Sequence, residues 1–205
     1  MICIIDYSLG NVISIKNAIT RIGYGCIISS KISEIRSSKI LILPGVGSFG
    51  RGMENLKKKK LINILNEEVI EKKKTILGIC LGFQLMCKNS DEFGEFNGLG
   101  WINSTVTKID NKQFRIPHVG WNKVETSKAS KLFENIKNDD LFYYNHSYCI
   151  KNSEDKNFKV IAKCSYNEEF VAAGFKNNIY GIQPHPEKSQ KPGLTFLSNF
   201  IKSKC

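Results

Sequence analysis

Up to about residue 90, short apolar runs alternate with segments of helical periodicity, and this alternation restricts the fold more than any other feature. The runs that read as strands are residues 2–6, 26–29, 40–43 and 75–79. Strands that are apolar along their length and separated by helices are typical of a parallel sheet covered on both faces. The sequence therefore predicts an α/β fold built on such a sheet.

The helical segments of this half have recognisable ends. In the first, apolar residues recur at helical spacing from Val12 to Ile22, with Asn11 placed to cap the start and Gly23 the end. A last helix of this half is predicted over residues 81–88. Residues 53–73 are predicted to be helical in two pieces, with an inward face of Leu56, Leu61, Ile64, Leu65 and Val69.

After about residue 98 the sequence changes to segments rich in β-branched and aromatic residues, separated by turn clusters. The predicted strands are residues 100–109, 120–124, 141–144, 160–164, 170–175 and 179–183, and a last helix covers 193–202. No repeat or low-complexity linker interrupts the chain, and 205 residues suit one domain. We therefore expect a single α/β domain over residues 1–205 with a mixed sheet.

The number and spacing of the cysteines and histidines indicate the redox compartment of the protein and whether a metal site is expected. Seven cysteines without a C-x-x-C pair, and a start (MICIID) without a basic leader, predict free thiols in a reducing cytoplasm. A metal site is not expected, because His118, His146 and His185 are far apart in the sequence and none is grouped with cysteines. No stretch approaches the roughly 20 apolar residues of a membrane span, so no membrane partner is expected.

A net charge of +11 is compatible with a protein that binds nucleic acid. The basic runs at residues 57–60 and 72–74 lack interleaved aromatics and fall where helices should end. Lysines at helix C-termini are favoured by the helix dipole, so these runs indicate solvated faces. No nucleic-acid partner is expected, although the charge could attract anionic substrates or an acidic protein.

The first chemical signal is Gly78-Ile79-Cys80-Leu81-Gly82, placed where a predicted strand meets a predicted helix. This is the glycine-flanked pattern of a nucleophile elbow, in which a sharp turn presents the central residue. A cysteine there sits at a helix N-terminus, which lowers a thiol pKa, and the N–H of Leu81 is free to face an oxyanion. The alternative is a buried cysteine in an ordinary strand–helix turn.

The second signal is Gln183-Pro184-His185-Pro186-Glu187. The prolines exclude a helix and push His185 toward an extended conformation, in which residues two apart face the same side. His185 and Glu187 can therefore meet, which supplies a base and the group that orients it. The alternative is a proline-rich turn with a surface histidine, which the elbow makes the weaker interpretation.

The third signal is the glycine-rich segment at residues 44–50, which follows a predicted strand. Glycines at the carboxyl edge of a parallel sheet let backbone approach a ligand. One use is a phosphate cradle, but the Walker lysine is absent. The favoured use is a second oxyanion donor that faces the elbow.

Six strings, in order along the whole chain, resemble a known family: IDYSLGN, LPGVGSFG, GICLGFQLM, IPHVGWN, YYNHSY and GIQPHPEKSQ. The elbow and the H-P-E string resemble class I glutamine amidotransferases, and PHVGWN and HPEKS narrow this toward glutaminase subunits of imidazole glycerol phosphate synthase. The resemblance implies a mixed, mostly parallel sheet with a flavodoxin-like core. It also implies hydrolysis of glutamine without a cofactor, and ammonia delivery to a TIM-barrel cyclase in a heterodimer of histidine biosynthesis.

The resemblance assigns roles by position. Cys80 would be the nucleophile, His185 the general base and acid, and Glu187 the orienting carboxylate. The oxyanion hole would comprise Gly45, Val46, Gly47 and Leu81. The substrate would be bound by Gln84, Glu92, His146, Ser147 and Tyr148. The face that meets the synthase subunit would include Asn11, Trp121, Tyr143 and Lys188, each of which could instead be a cap, a core aromatic or a surface charge.

Two departures from the family pattern concern the partner. Pro184 stands where an aromatic is more usual, and Asn145 stands where an apolar residue is usual. Neither removes a group that the chemistry needs. Three alternatives therefore stay open: a paralogue that feeds ammonia to an amidotransferase of surface saccharides, a stand-alone hydrolase of γ-glutamyl compounds, and a non-catalytic binding module with the same fold.

Overall fold

The computed structural model describes residues 1–126 and 130–204. Strands β1–β14 span Ile2–Ile5, Cys26–Ser29, Ile40–Leu43, Thr75–Ile79, Cys87–Ser90, Phe96–Asn97, Ile102–Lys108, His118–Lys123, Glu125–Thr126, Leu141–His146, Tyr148–Cys149, Lys159–Tyr166, Glu168–Lys176 and Ile179–Ile182. Helices α1–α6 span Val12–Arg21, Ile32–Ser37, Phe49–Lys58, Leu61–Asn66, Leu81–Leu85 and Gln190–Lys202. A π-helical turn covers Glu67–Glu71, and 3₁₀ turns cover Lys131–Phe133 and Pro186–Lys188.

The central sheet has eight strands in the order β2-β1-β3-β4-β14-β13-β12-β9. From β2 to β14 all neighbours pair in parallel, and from β14 to β9 they pair antiparallel. The five parallel strands follow the flavodoxin-like order 2-1-3-4-5, with β14 in fifth place. The predicted mixed, mostly parallel sheet is therefore confirmed, and it is completed by a strand from the far end of the chain.

The parallel strands are buried on both faces, which explains their unbroken apolar character. In β1, Ile2 and Ile4 belong to one hydrophobic cluster, whereas Cys3 and Ile5 belong to the cluster on the opposite face. Helices α1 and α6 contribute to the first cluster, and α2 to α5 contribute to the second. The elbow cysteine thus follows a strand that packing holds rigidly from both sides.

Two smaller sheets cover the remaining apolar surface. Strands β8 and β10 form an antiparallel ribbon, and β11, β7, β5 and β6 form a four-stranded sheet. In β10, residues alternate between partly or fully exposed and buried, so that Phe142, Tyr144 and His146 face inward while Leu141, Tyr143 and Asn145 face outward. The ribbon therefore presents one side to the core and the other to solvent.

The sequence predictions for the first half are confirmed for the strands and for the capping of α1. Asn11 accepts a hydrogen bond from Ser14 N at 3.3 Å, and Gly23, just past the helix end, has a φ of 88°. All five residues of the inward face predicted between residues 53 and 73 are buried. None of the helices in the described ranges is long and apolar enough to cross a bilayer.

The helix predicted over residues 81–88 is wrong in its second half. Helix α5 ends at Leu85, and Cys87–Ser90 is strand β5, which pairs in parallel with β7. The apolar residues of this stretch suit either structure, and pairing with β7 decides in favour of a strand. Helix α2 was not predicted, because its six residues bury a single apolar side chain, Ile35.

Candidate active site

The turn from β4 to α5 holds Cys80 in a left-handed backbone conformation, with φ 52° and ψ −114°. A Cβ added to Gly78 would lie 2.7 Å from Phe83 N, and one added to Gly82 would lie 1.8 Å from Leu43 O. Neither position admits a side chain, so the glycine flanks are a steric requirement of this turn. Cys80 is buried at the start of α5, and Leu81 N makes no backbone hydrogen bond within the described part of the chain.

The segment after β14 brings His185 and Glu187 together, as their spacing predicts. His185 Nδ1 and Glu187 Oε1 are 2.9 Å apart, and both side chains are buried. Because Nδ1 is occupied by the carboxylate, Nε2 is the ring nitrogen that can exchange a proton with the Cys80 thiol. Among the described residues, neither His185 Nε2 nor Glu187 Oε2 has a hydrogen-bond partner.

Burial by itself lowers the pKa of His185, but its charged neighbours outweigh that effect. Interactions with the Cys80 sulfur and the Glu187 carboxylate stabilise the imidazolium and raise the pKa of His185 to about 10. Cys80 and His185 follow the paired parallel strands β4 and β14, and Cys80 N donates to Ile182 O at 2.8 Å, so the elbow and the imidazole–carboxylate pair lie at the same edge of the sheet. A protonated imidazole at this position can give its proton to a leaving group.

Ser189 fixes the backbone that carries His185. Its Oγ donates to His185 O at 2.6 Å and accepts from Tyr143 N at 2.9 Å, while His185 N donates to Tyr143 O at 2.8 Å. The two bonds to Tyr143 tie the histidine loop to strand β10, and the bond to His185 O closes the loop on itself. Ser189 was not identified from the sequence.

The loop at residues 44–48 packs directly against the elbow. A Cβ added to Gly45 would lie 2.6 Å from Gly82 N, so only glycine allows this approach. Tyr7 OH donates to Pro44 O at 2.6 Å and holds the loop from below. Val46 and Gly47 line the same small cavity as Cys80 and Leu81, as expected for two halves of an oxyanion hole.

This cavity measures about 40 Å³, which is about the space of one water molecule in the liquid. Besides the residues just named, it is lined by Gln84, Glu92, Asn145, His146, Ser147 and Tyr148. All five residues predicted to contact the substrate therefore surround it. The space beside Cys80 is therefore narrow.

Glu92 links the cavity to the start of α3. Its Oε2 accepts a hydrogen bond from Phe49 N at 2.6 Å. Burial raises the pKa of Glu92, and although the Phe49 N–H opposes this, neighbouring Asp91 adds to it. A cationic group entering the cavity would reverse that rise, because it stabilises the carboxylate.

Gln84 lies at the cavity wall, but its amide nitrogen is committed to the protein. Gln84 Nε2 donates to Tyr148 O at 2.7 Å and to Gln183 Oε1 at 3.0 Å. Two bonds use both amide hydrogens, so Gln84 can offer a ligand only its acceptor oxygen. Gln183 in turn lies 3.5 Å from the Cys80 sulfur through its Nε2. Gln183 was not identified from the sequence, although its place just before the Pro-His-Pro-Glu string was a usable signal.

His118 and His146, far apart in the sequence, form a hydrogen-bonded pair. They face each other across β8 and β10, with His118 Nδ1 3.2 Å from His146 Nε2. Burial lowers the pKa of His118 to about 4 and that of His146 to about 3, so both rings are neutral near pH 7. In the described ranges, the histidines, cysteines and carboxylates form no group of three or more suited to a metal ion.

The residues expected at a partner face lie at the carboxyl edge of the sheet. Trp121 is 45% exposed and packs edge-on against Tyr143, with ring centroids 5.8 Å apart. Lys188 Nζ lies 5.4 Å from the centroid of the Tyr143 ring. Asn11 is separate from this cluster and caps α1. Val119 and Leu141 extend the exposed apolar surface of the same ribbon.

Comparison with known proteins gives matches along almost the entire chain. The family profile "Glutamine amidotransferase class-I" matches residues 3–203. A protein of Methanococcus maripaludis named imidazole glycerol phosphate synthase subunit HisH 2 is 47% identical over 203 residues, covering 98% of this chain and 99% of the relative. The HisH subunit of Sulfurimonas denitrificans is 42% identical, with 98% of both chains covered.

Solved structures agree on the fold. PurLQS from Thermotoga maritima superposes with a TM-score of 0.75 at 16% identity, covering 98% of this chain and 97% of that chain. A putative GMP synthase subunit from Thermoplasma acidophilum gives 0.72 at 19% identity, covering 98% and 92%. At such identities these two likenesses show the fold alone.

Proposed function

The chain belongs to the class I glutamine amidotransferase family, and from this premise we propose that it is the glutaminase subunit of an imidazole glycerol phosphate synthase. It hydrolyses glutamine to glutamate and ammonia and passes the ammonia to a synthase subunit with which it forms a heterodimer. The observation that supports the proposal is that Cys80 and His185 follow neighbouring parallel strands, with Cys80 N donating to Ile182 O at 2.8 Å and His185 Nδ1 2.9 Å from Glu187 Oε1. The names of the curated relatives support the pathway.

The first half of the reaction forms a thioester. The Cys80 thiolate attacks the side-chain amide carbon of glutamine, and the C–N bond breaks as His185 gives its proton to the departing nitrogen. Glu187 keeps the imidazole oriented through Nδ1, at the observed 2.9 Å. His185, now neutral, then takes a proton from water, which attacks the thioester and releases glutamate and the free thiol.

The oxyanion of each tetrahedral intermediate needs donors on the side of Cys80 away from His185. The N–H of Leu81, which has no backbone acceptor among the described residues, supplies one, and the segment Gly45-Val46-Gly47 the other. Removal of one such donor typically costs about 3 kcal/mol of barrier. The tight packing of Gly45 against Gly82 supports a role in which the loop delivers its N–H only when the cavity opens.

The cavity walls suit the polar ends of glutamine. Glu92, whose pKa is raised by burial, would take the cationic α-amino group. Gln84 can only accept, so it would face a donor group of the substrate. The segment His146-Ser147-Tyr148 would contact the substrate mainly through its backbone. The chain acts in this proposal as one domain, since β14 pairs with β4 and joins both halves of the site.

The ribbon of β8 and β10 would meet the synthase subunit. Trp121, Tyr143 and Lys188 form one cluster there, and Asn11 lies at the end of a helix that packs on the Pro186–Lys188 turn. Ammonia stays uncharged only while it is kept from bulk solvent, so direct transfer to a docked subunit follows from the chemistry. In the resembling family that subunit is a TIM-barrel cyclase.

Co-purification from the native cell, followed by a glutaminase assay with and without the captured partner, tests the function. We expect the isolated chain to be nearly silent, the complex to release glutamate, and Cys80→Ala to abolish turnover while the partner still binds. Glutamine turnover by Cys80→Ala would refute the nucleophile. Full activity without a partner would indicate the stand-alone hydrolase, and a folded complex without turnover would indicate the binding module.

One observation favours a second acceptor of the ammonia. Asn145, one of the two departures from the family pattern, pairs with Val119 on the outer side of the ribbon and also lines the cavity. A change there fits a paralogue that serves an amidotransferase of surface saccharides. Rescue of a histidine auxotroph separates the two, since only the synthase subunit restores growth.

A further inference from the structure

The buried amide of Gln183 lies against the sulfur of Cys80. Gln183 follows the last residue of β14 and is 0% exposed, and its Nε2 is 3.5 Å from Cys80 Sγ. This distance suits a hydrogen bond from an amide N–H to sulfur. Neither the Cys80, His185 and Glu187 set nor the proposed oxyanion donors include Gln183.

The orientation of this amide is determined by its neighbours. A backbone carbonyl can only accept, so Tyr148 O fixes Gln84 with its Nε2 toward it at 2.7 Å. The second hydrogen of the same nitrogen requires an acceptor, and Gln183 Oε1 lies there at 3.0 Å. Gln183 is thereby left with its nitrogen toward Cys80, and a flipped amide would set two N–H groups against each other.

The histidine pair completes the same network. His146 Nδ1 is 2.9 Å from Tyr148 O and must donate to it, so its Nε2 accepts from His118 Nδ1. The Tyr148 carbonyl thus accepts from both Gln84 and His146, which fills its two lone pairs. A continuous chain of oriented hydrogen bonds runs from His118 to the sulfur, and every step has one allowed direction.

We propose that Gln183 is a catalytic residue whose amide N–H donates to the Cys80 sulfur and stabilises the thiolate, with its direction set by Gln84 and the Tyr148 carbonyl. The proposal rests on the glutaminase function, in which the thiolate is the nucleophile. Hydrogen bonds to an ionised acceptor are about twice as strong as those between neutral groups, so the bond favours the charged form. The sulfur then has its donor in Gln183, and its proton can pass to His185, whose Nε2 has no hydrogen-bond partner among the described residues.

Alkylation of Cys80 by iodoacetamide across a pH range tests this without substrate or partner. The modified peptide is quantified by mass spectrometry, so the other cysteines do not interfere. In Gln183→Met, which keeps the length but has no N–H, we expect the apparent pKa of alkylation to rise by about one unit and the rate below that pKa to fall about tenfold. This apparent pKa belongs to the Cys80–His185 pair.

Asn178 provides a matched control, because it lies directly before β14, whereas Gln183 lies directly after it. Its Nδ2 donates to Val69 O and Lys74 O, both at 2.8 Å, at the opposite end of the strand. Asn178→Leu should leave the pH profile of Cys80 alkylation unchanged. An equal shift in Asn178→Leu, or an unchanged profile in folded Gln183→Met, would overturn the proposal.

Gln84→Met tests the same claim when Gln183→Met does not fold. Without Gln84 the amide of Gln183 loses the donor that orients it, so the apparent pKa should rise by less than in Gln183→Met. The two changes should be non-additive when combined, because they break one chain. No shift in folded Gln84→Met would contradict the orienting role. Failure of the glutaminase proposal is recognised separately, by a folded complex of the unchanged chain that releases no glutamate from glutamine.

Discussion

The loop after β14 and the ribbon of β8 and β10 each carry buried histidines, and their pKa values move in opposite directions. His185, in the loop, has its pKa raised to about 10, whereas that of His146, in the ribbon, is lowered to about 3. Burial opposes the charged form in both. The difference is that His185 faces a carboxylate and a thiol, whereas His146 faces a carbonyl and a neutral ring.

Burial therefore gives a histidine no chemical role by itself. A charged neighbour turns His185 into a group that can hold and return a proton. The ribbon pair, without a carboxylate, stays neutral and serves as a fixed donor and acceptor. The sequence encodes this difference in two residues, Cys80 at the elbow and Glu187 two positions after His185 on an extended segment.

The largest effect is expected from Glu187→Gln, which makes the surroundings of His185 resemble those of His146. The pKa of His185 should fall because the carboxylate that stabilises the imidazolium is gone. We expect glutamine turnover in the captured complex to drop about 10⁴-fold, as when the orienting acid of such a site is neutralised. Turnover is followed as glutamate release across pH, with Glu54→Gln on the exposed face of α3 as the control. An unchanged rate and pH profile would remove Glu187 from the mechanism.

The free energy of unfolding should depend on pH in opposite ways through the ribbon histidines and through His185 in the loop after β14. The ribbon histidines have folded pKa values of about 4 and about 3, below the unfolded value near 6.5. The unfolded chain therefore binds more protons than the folded chain between pH 6.5 and 3. The two histidines stabilise the fold above pH 6.5, and this contribution is lost as the pH falls toward 3. His185, raised to about 10, stabilises fully below pH 6.5 and loses its contribution as pH rises to 10.

Urea unfolding at a series of pH values measures how the free energy of unfolding depends on pH. We expect a loss on the order of a few kcal/mol between pH 6.5 and 3, reduced in His118→Phe, which keeps the aromatic stack on Tyr166 without a titratable ring. The alkaline loss should remain in His118→Phe and become smaller in Glu187→Gln, where Cys80, the larger cause of the raised pKa of His185, is still present. If the loss of stability between pH 6.5 and 3 were the same in His118→Phe as in the unchanged protein, other groups would be its cause.

Much of the first half of the fold could be predicted, and so could the two ribbon strands, at residues 120–124 and 141–144, but not the pairing of these two strands. Strands Cys26–Ser29, Ile40–Leu43 and Thr75–Ile79 lie where the sequence indicates, because strands buried on both faces are continuous apolar runs. The contact of His118 with His146 depends on the register of β8 and β10, which no local pattern encodes. The elbow and the His185–Glu187 pair were accessible because short-range steric rules fix both.

Gln183 and Ser189 escaped prediction for the same physical reason. Each acts through hydrogen bonds to residues distant in the sequence, Gln183 to Cys80 and Ser189 to Tyr143. A buried amide at a strand end and a serine after a 3₁₀ turn have no periodicity to reveal them. Only the assembled sheet brings these partners within reach.

A smaller effect is expected from Ser189→Ala, which loosens the His185 loop but keeps Glu187. The change removes the bonds to His185 O and Tyr143 N. We expect kcat to fall about tenfold with KM nearly unchanged, because misplacement of a base affects the transition state more than binding. Ser203→Ala, which removes a similar bond to Phe200 O at the other end of α6, should leave kcat unaltered. A change in KM alone would contradict a positioning role.

The smallest effect is expected from Lys188→Met in the isolated chain. The ammonium lies over the exposed side of Tyr143 and makes a cation–π contact, which at an exposed site contributes about 0.5–1 kcal/mol. We expect the free energy of unfolding to change by no more than this, and the pH profile of Cys80 alkylation to stay the same. A large shift of that profile would show that surface charge, and not Glu187, sets the protonation of His185.

The central claim is that the Cys80 thiol and the His185 imidazole, which are distant in the sequence, meet in one site. Cross-linking the native protein with 1,3-dibromoacetone, followed by peptide mass spectrometry, tests this most directly, since the reagent joins a thiol and an imidazole only when both are within its short reach. We expect one dominant bridge, between Cys80 and His185. Alkylation of Cys80 without any bridge to His185, or a bridge to another residue, would contradict the claim.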